Sequence, residues 1–136
     1  MKHLVLLDAN LLIGAFDHDE QNPAHVSSKE KVEELLLDEN INIAISPLIR
    51  YEVLRGMKRT SIAQMQEILN DFEEFSITEL EGNRAAEIYR AAKAQNISLD
   101  KRIYDVFHFV IAEVNNLEFD SHDGDIPKIK QIVQNL

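Results

Sequence analysis

Short apolar runs alternate with longer segments of helical spacing along this chain. The run His3-Leu4-Val5-Leu6-Leu7 is typical of a strand buried on both faces, and residues 41–45 alternate like a second strand that ends at Ser46. Residues 75–77 and 117–119 are predicted to be two further short strands. Apolar positions at helical spacing predict helices at 27–37, 49–59, 62–72, 84–95 and 103–114. Residues 128–136 fit either a helix or a strand.

This alternation predicts the fold class. Strands interleaved with helices indicate an α/β sandwich with a mostly parallel central sheet and helices on both faces. The 136 residues show no internal repeat and no linker composition, so we expect a single domain over residues 1–136. The sequence has no cysteine, which excludes a disulfide framework, a thiol nucleophile and a zinc–thiolate site.

Charge narrows the range of partners. Fourteen Lys and Arg against 24 Asp and Glu give a net charge of −10, which argues against broad electrostatic binding of nucleic acid and suits a divalent cation or a basic protein. Part of the excess lies on or just past one predicted helix, as a solvated face: Glu30, Glu33, Glu34, Asp38 and Glu39. With no secretory signal pattern and no apolar run of membrane-spanning length, we expect a soluble, cytoplasmic protein without a membrane partner.

Asp8 directly follows the first predicted strand. An ionised carboxylate inside an apolar core is costly without a partner, so we expect Asp8 at the carboxyl end of the strand. Open α/β sheets bind their ligands at that edge. Asp is also a common helix N-cap, and the pattern leaves open whether Asp8 serves a site or caps the next helix.

A second acid, Glu52, lies on the predicted helix that follows Ser46. On a helix it shares a face with Leu48, Ile49 and Gly56, which places its carboxylate on the inward side. An ion pair with Arg55, or a place at the edge of the core, is the structural alternative.

The third acid, Asp105, lies in a predicted helix that is apolar almost all round. It shares one narrow polar stripe with His108, Ala112 and Asn115. A buried helix that keeps such a stripe indicates a polar cavity, whereas a pair between Asp105 and Lys101 would explain the acid structurally.

The segment Asp-Ser-His-Asp-Gly-Asp at 120–125 follows a predicted strand and should lie at the same sheet edge as Asp8. It is not an EF-hand, because Gly124 falls one place early and Gln131 stands near the closing position. His122 has no second ligand at zinc spacing. An ordinary polar turn before a helix is the alternative.

Four blocks in this order, at 7–10, 46–52, 105–112 and 121–126, resemble the PIN-domain nucleases and, in size, the VapC-like toxins of prokaryotic toxin–antitoxin pairs. The resemblance covers essentially the whole chain and implies an acidic catalytic pocket formed by Asp8, Glu52, Asp105 and Asp123. It also implies supporting roles for Asn10, Ser121 and, as a fifth acid, Asp125. The activity it implies is a metal-dependent endoribonuclease that pairs with an antitoxin protein and forms a homodimer.

Hydrolysis of a phosphodiester near neutral pH requires an activated water and compensation of charge on the leaving oxygen, which Mg²⁺ or Mn²⁺ supplies. These ions prefer oxygen ligands, so we assign Asp8, Asp105 and Asp123 to metal coordination, directly or through water. Glu52 would ligate the metal or position the attacking water. RNA would approach along local basic residues: Arg50, Arg55, Lys58, Arg59, Lys101 and Arg102.

Three other classes of protein share part of this sequence pattern. A PIN scaffold without catalytic activity could serve as a protein-binding module. A receiver-like phosphoacceptor domain needs an acceptor Asp at the end of a middle strand, where this chain has Ser46. An aspartyl phosphatase needs an acid two residues after Asp8, where this chain has Asn10.

Overall fold

The computed structural model describes residues 3–99, 102–120 and 125–136, without the side chain of Asp125. The elements in chain order are β1 (His3–Leu7), α1 (Ala9–Phe16), α2 (Pro23–Leu37), β2 (Ile41–Ile45), α3 (Pro47–Gly56), α4 (Ile62–Asn70), β3 (Glu73–Glu74), α5 (Glu79–Ala94), α6 (Ile103–Asn115), β4 (Glu118–Asp120) and α7 (Asp125–Gln134).

The four described strands form one sheet in the order β3-β2-β1-β4, and all three pairings are parallel. Leu6 of β1 is in register with Ala44 of β2 on one side and with Phe119 of β4 on the other. The predicted α/β fold with a parallel central sheet is therefore confirmed.

Burial explains why β1 and β2 are central. Val5, Leu6 and Leu7 are buried, as are the last three residues of β2, 43–45, so both strands carry apolar side chains on both faces. The strand order reverses beside β1, because the chain proceeds to β2 on one side and later returns to β4 on the other. Such a switch point is where open parallel sheets bind ligands at their carboxyl edge.

Helices α1 to α4 connect β1 to β2 and β2 to β3, two steps in the same direction across the sheet. Parallel crossovers are almost always right-handed, and this rule predicts that all four helices pack on one face of the sheet. In agreement, α1 contacts both α2 and α3, and α3 contacts α4. The contacts are close: a Cβ added to Gly14 of α1 would lie 2.6 Å from Ser28 Cβ of α2, and one added to Gly56 of α3 would lie 3.0 Å from Ile13 Cδ1 of α1.

Several element bounds differ from those predicted, and capping residues are the reason. Helix α2 begins at Pro23 rather than at residue 27, because the Asn22 side chain accepts the N–H of Ala24 at 3.0 Å. Helix α5 begins at Glu79 rather than at residue 84, because Thr78 and Glu81 form a capping box.

Other differences concern short elements. Helix α1 is eight residues long, and the hydrophobic pattern did not predict it as a separate helix. Strand β3 lies at Glu73–Glu74, two residues before the predicted 75–77, although Phe75 still donates its N–H to Ile45 at 2.9 Å. The undecided segment 128–136 falls largely in helix α7.

The described residues divide into two compact units, which follow the ranges Met1–Ser76 with Leu117–His122, and Ile77–Asn116 with Asp123–Leu136. The first contains the sheet and α1 to α4. The second has its own apolar core on α5, α6, α7 and the segment before α6, built from Ala85, Ile88, Ala92, Leu99, Val106, Val110, Ile129 and Ile132. Within the described ranges, no helix is long and apolar enough to cross a membrane.

Inside the second unit, one arginine links two helices. Arg84 of α5 donates from Nε to Oε1 of Glu113 on α6 at 2.8 Å and from Nη2 to Oε2 at 3.1 Å. The two-pronged hydrogen bond to Glu113 raises the pKa of Arg84 above its ordinary value. The geometry is the bidentate one that makes arginine–carboxylate pairs specific.

The two glycines Gly14 and Gly82 should respond to alanine in opposite ways. Gly14→Ala should lower the free energy of unfolding by about 1–3 kcal/mol, because the new methyl overlaps Ser28 across the contact between α1 and α2. Gly82→Ala should raise it by about 0.5–1 kcal/mol, because the position is helical and nothing lies within 4 Å of the added Cβ. Urea unfolding of both variants measures this, and equal effects would contradict the packing described for α1.

Candidate active site

Asp8 lies at the carboxyl end of β1, as predicted. Its N–H donates to the carbonyl of Asp120 at the end of β4, at 3.1 Å, which holds it beside the switch point. Its Oδ1 accepts the N–H of Ala9 at 2.9 Å, so the side chain also caps α1. The residue is only 5% exposed. Of the two interpretations that the sequence left open, the helix cap is observed, and the role of Asp8 in a site stays a prediction.

Glu52 reaches the same edge from the neighbouring strand. Strand β2 ends at Ser46, whose buried side chain accepts the N–H of Ile49 at 3.2 Å and caps α3. Ile49 and Val53 form the buried side of α3, and Glu52, one residue before Val53, is half-buried. Helix α3 thus holds the carboxylate of Glu52 at the border between its buried side and its exposed side.

Asp8 and Glu52 come together in the first unit. A carboxylate oxygen of Asp8 and one of Glu52 lie within 4.8 Å of each other. Two oxygens bound to a single Mg²⁺ at its usual bond length lie at most about 4.2 Å apart, so the pair fits direct ligation by both after a small adjustment, or by one through water. The donors are hard oxygen atoms, the type that Mg²⁺ and Mn²⁺ prefer.

Asp105 lies in the second unit, in the first turn of α6, and is half-buried. His108, one turn further along the predicted polar stripe, is fully buried. Asn115 at the end of the stripe is accounted for structurally: its Nδ2 donates to Ile111 O at 2.9 Å, and its side chain hydrogen-bonds the buried Glu81. Part of the polar stripe on α6 therefore serves packing within this unit.

The remaining predicted site residues lie at the margin of the described structure. Asn10 is exposed, as the second residue of α1. Ser121 and Asp123 lie outside the described residues, as do Lys101 and the side chain of Asp125, whose backbone begins α7. Their roles stay predictions.

One buried acid that the sequence pattern did not reveal, Asp17, holds the far end of α3. Asp17 is 1% exposed and accepts three consecutive backbone N–H groups after α3: Lys58 at 2.7 Å, Arg59 at 2.8 Å and Thr60 at 2.7 Å. Burial by itself raises the pKa of Asp17, but these N–H groups outweigh it and bring the pKa below the ordinary value. No local pattern signals this role, since the partners are more than 40 residues away along the chain.

Acidic partners already engage some of the basic residues expected to guide RNA. Arg50 forms a bidentate pair with Glu74, the closest distance being 2.6 Å, and donates to Asn70 at 3.0 Å. Arg59 pairs with Asp17 and with Asp19. Arg55, by contrast, stacks on a tyrosine of its own helix.

A cavity of about 650 Å³ lies elsewhere in the first unit. It is lined at the start of β2 by Ile41 and Asn42, at the opposite strand end from Ser46, and by Phe16 and Phe72. Its position separates it from the carboxylate pair.

The first unit thus combines a parallel sheet with a pair of carboxylates, Asp8 and Glu52, at its carboxyl edge. The sequence pattern of the PIN domain matches residues 5–132, and the chain belongs to this family. The resemblance seen in the sequence is thereby confirmed. Among curated proteins, none matches the chain.

Solved structures give the same fold. A toxin–antitoxin complex from Klebsiella pneumoniae contains a chain that matches with a TM-score of 0.65 at 20% identity, over 88% of this chain and 86% of that one. VapBC2 from Rickettsia felis, bound to a DNA fragment from its promoter, contains a match with a TM-score of 0.65 at 16% identity, over 92% of both chains. At these identities the likeness concerns the fold.

Replacing Asp17 tests its support of α3. Asp17→Asn should lower the free energy of unfolding at neutral pH by about 3 kcal/mol, because a charge that accepts three N–H groups is lost. The folded pKa of Asp17 is lowered, so its contribution is present above the unfolded value of about 3.9 and is lost as pH falls through the folded pKa.

Urea unfolding of wild type and Asp17→Asn from pH 7 downwards measures the difference, which should shrink below about pH 4. Asp19→Asn is the matched control, because it removes only a partly exposed pair with Arg59 and should cost less than about 1 kcal/mol. If the difference in unfolding free energy between wild type and Asp17→Asn stayed constant through this pH range, it would contradict the assigned role of Asp17.

Proposed function

We propose that this protein is a divalent-metal-dependent endoribonuclease and the toxin component of a toxin–antitoxin pair. The observation that carries the proposal is the Asp8–Glu52 carboxylate pair, within 4.8 Å at the carboxyl edge of the sheet in a PIN domain. We further propose that the two units act as a single domain, because the family match runs through both.

Two like charges this close repel each other, and the chain carries a net charge of −10 in addition. A bound cation turns that repulsion into attraction, which supports a metal site over a purely structural role for both acids. Asp8 needs no second carboxylate to cap α1, so the cap alone does not account for Glu52 beside it.

Asp8, Asp105 and Asp123 are the proposed metal ligands, and Glu52 is the fourth proposed catalytic acid. Mg²⁺ or Mn²⁺ would supply charge compensation and lower the pKa of a bound water. Glu52 is the more exposed residue of the pair, and it would orient the attacking water and take up its proton. Asn10, Ser121 and Asp125 are proposed as supporting polar groups.

The toxin assignment is supported by the two structural neighbours, both described as toxin–antitoxin or VapBC assemblies. The partner would be an antitoxin that offers a basic side chain to the acidic edge, and we propose that the toxin itself is a homodimer. A charge of −10 favours such a basic partner and speeds its association.

Purified protein should cleave RNA in the presence of Mg²⁺ or Mn²⁺ and stop when a chelator is added. Asp8→Asn and Glu52→Gln should each reduce the cleavage rate by about 100-fold or more, because each removes a proposed catalytic charge. Asp105→Asn should do the same. Asp8→Asn keeps the helix cap, since Asn caps as well as Asp, so its loss of activity would not reflect unfolding.

Glu33→Gln, on the exposed side of α2, is the charge-matched control and should leave the rate unchanged. A second readout is thermal melting. Mg²⁺ should raise the melting temperature of wild type but not of Asp8→Asn, because an ion stabilises the folded state only where it binds. Cleavage that persists in excess chelator would overturn the metal-dependent mechanism. RNA left intact while the metal still stabilises the fold would favour the catalytically idle PIN scaffold.

Expression from the native operon should yield a complex with a small protein that has a basic segment. In that complex Asp8 and Glu52 should be shielded, because a partner arginine would form charge-assisted hydrogen bonds with carboxylates at the edge. Co-purification followed by size-exclusion chromatography checks both the partner and the dimer. A monomer that elutes without any partner would contradict both assignments.

A further inference from the structure

We propose that Tyr51 and Arg55, on the outer side of α3, form a platform on which single-stranded RNA lies as it enters the site at Glu52. The inference rests on the proposed nuclease function and adds to it the residues that would hold the substrate. The platform would recognise two features of a single strand, its unpaired bases and its phosphates.

The side chains of Tyr51 and Arg55 contact each other on the exposed side of α3. The Arg55 guanidinium carbon lies 5.0 Å from the Tyr51 ring centroid, and Arg55 Nη1 lies 3.4 Å from Tyr51 Oη. The residues are four positions apart on α3, which places them on one face of the helix. Arg55 is exposed, and Tyr51 keeps 47% of its surface exposed although the guanidinium covers part of the ring.

The platform adjoins the carboxylate pair. Glu52 follows Tyr51 directly, and its carboxylate oxygen lies within 4.8 Å of one on Asp8. The opposite side of α3 is packed, through Ile49 and Val53. Helix α3 therefore presents Glu52 at the border between its buried side and the side that carries Tyr51 and Arg55.

Among the three arginines in α3 or just after it, Arg50, Arg55 and Arg59, the distribution of charge favours Arg55. A polyanion that approaches a protein of net charge −10 needs a local cation beside the site. Arg50 is bound to Glu74 and Arg59 to Asp17 and Asp19, so acids already offset their charges. The described contact of Arg55 is with a neutral ring, which leaves its charge to act on a phosphate.

The pairing of an aromatic ring with a guanidinium matches the way single-stranded nucleic acid is held. Bases stack on aromatic rings and on arginine planes, and arginine forms two-pronged hydrogen bonds with phosphate. Stacking needs unpaired bases, so the platform should prefer single strands over duplexes. Tyr and Arg are also frequent in protein interfaces, but here they lie next to the proposed hydrolytic acids, which favours the substrate over a protein partner.

The test is RNA binding by the inactive Asp8→Asn protein, with a fluorescently labelled single-stranded RNA followed by anisotropy in Mg²⁺ buffer. Adding Tyr51→Ala or Arg55→Gln should weaken binding about tenfold, the effect typical of losing one stacking contact. Tyr51→Phe should bind as the parent does, because the ring is retained. In the active protein, Tyr51→Ala should raise KM with kcat unchanged, which a general loss of structure would not produce.

Helix α5 offers a matched control. Tyr89, which is 39% exposed, and Lys93 have the same spacing of an aromatic residue and a cation. Tyr89→Ala and Lys93→Gln should leave RNA affinity unchanged, and a loss equal to that of the α3 variants would overturn the proposal.

Unchanged RNA affinity in Tyr51→Ala with weakened capture of the antitoxin would assign the surface to the protein partner and overturn the RNA platform. Equal binding of single-stranded and duplex RNA would also overturn it, because stacking would then play no part. The binding assay does not depend on cleavage. Wild type that fails to cut RNA while Tyr51 still governs binding would therefore refute the nuclease and leave the platform standing.

Discussion

The parallel pairing of β1 with β2 is the constraint on which the rest of the structure depends. Because Leu6 is in register with Ala44, both strands reach the same edge of the sheet one residue later and turn into helices there. The two strand ends each supply an N-cap, Asp8 and Ser46, so α1 and α3 begin side by side. An antiparallel pairing would have sent the two helix starts to opposite edges. The parallel direction of the two strands is therefore enough to bring Glu52 close to Asp8, whatever chemistry the two residues perform.

Two contacts then fix the course of α3. At its start, Ser46 satisfies the N–H of Ile49, and after its end Asp17 accepts three N–H groups from the segment that leads to α4. Between them, Gly56 permits close approach to Ile13 of α1. Helix α3 is thus held at both ends by hydrogen bonds and along its inner side by packing, which gives the carboxylate of Glu52 a defined position.

The sequence was sufficient for those features that depend on local pattern. A continuous apolar run predicted β1, and alternation at residues 41–45 predicted β2. The cost of burying a charge placed Asp8 at a strand end, where it lies. Start signals outside the apolar pattern were harder: Asn22 and Thr78 extend their helices through hydrogen bonds that periodicity does not register. Asp17 could not have been recognised, because nothing near it in the sequence specifies partners brought close only by folding. For Asp105 the pattern gave a polar stripe, but the structure shows that Asn115 at its end serves Glu81 and a helix carbonyl.

The division of α3 into a packed inner side and an exposed outer side bears on how such a protein can diverge. Substitutions at Ile49 or Val53 disturb the core and are costly to the fold. Substitutions at Tyr51 or Arg55 change a solvent-facing surface, where the effect on stability is small. Under the proposed function, substitutions on the outer side would change what the helix recognises, while the packed inner side keeps Glu52 in place. One short helix would then carry the proposed catalytic residue and the proposed recognition residues on different sides, so that specificity could change without loss of the catalytic acid.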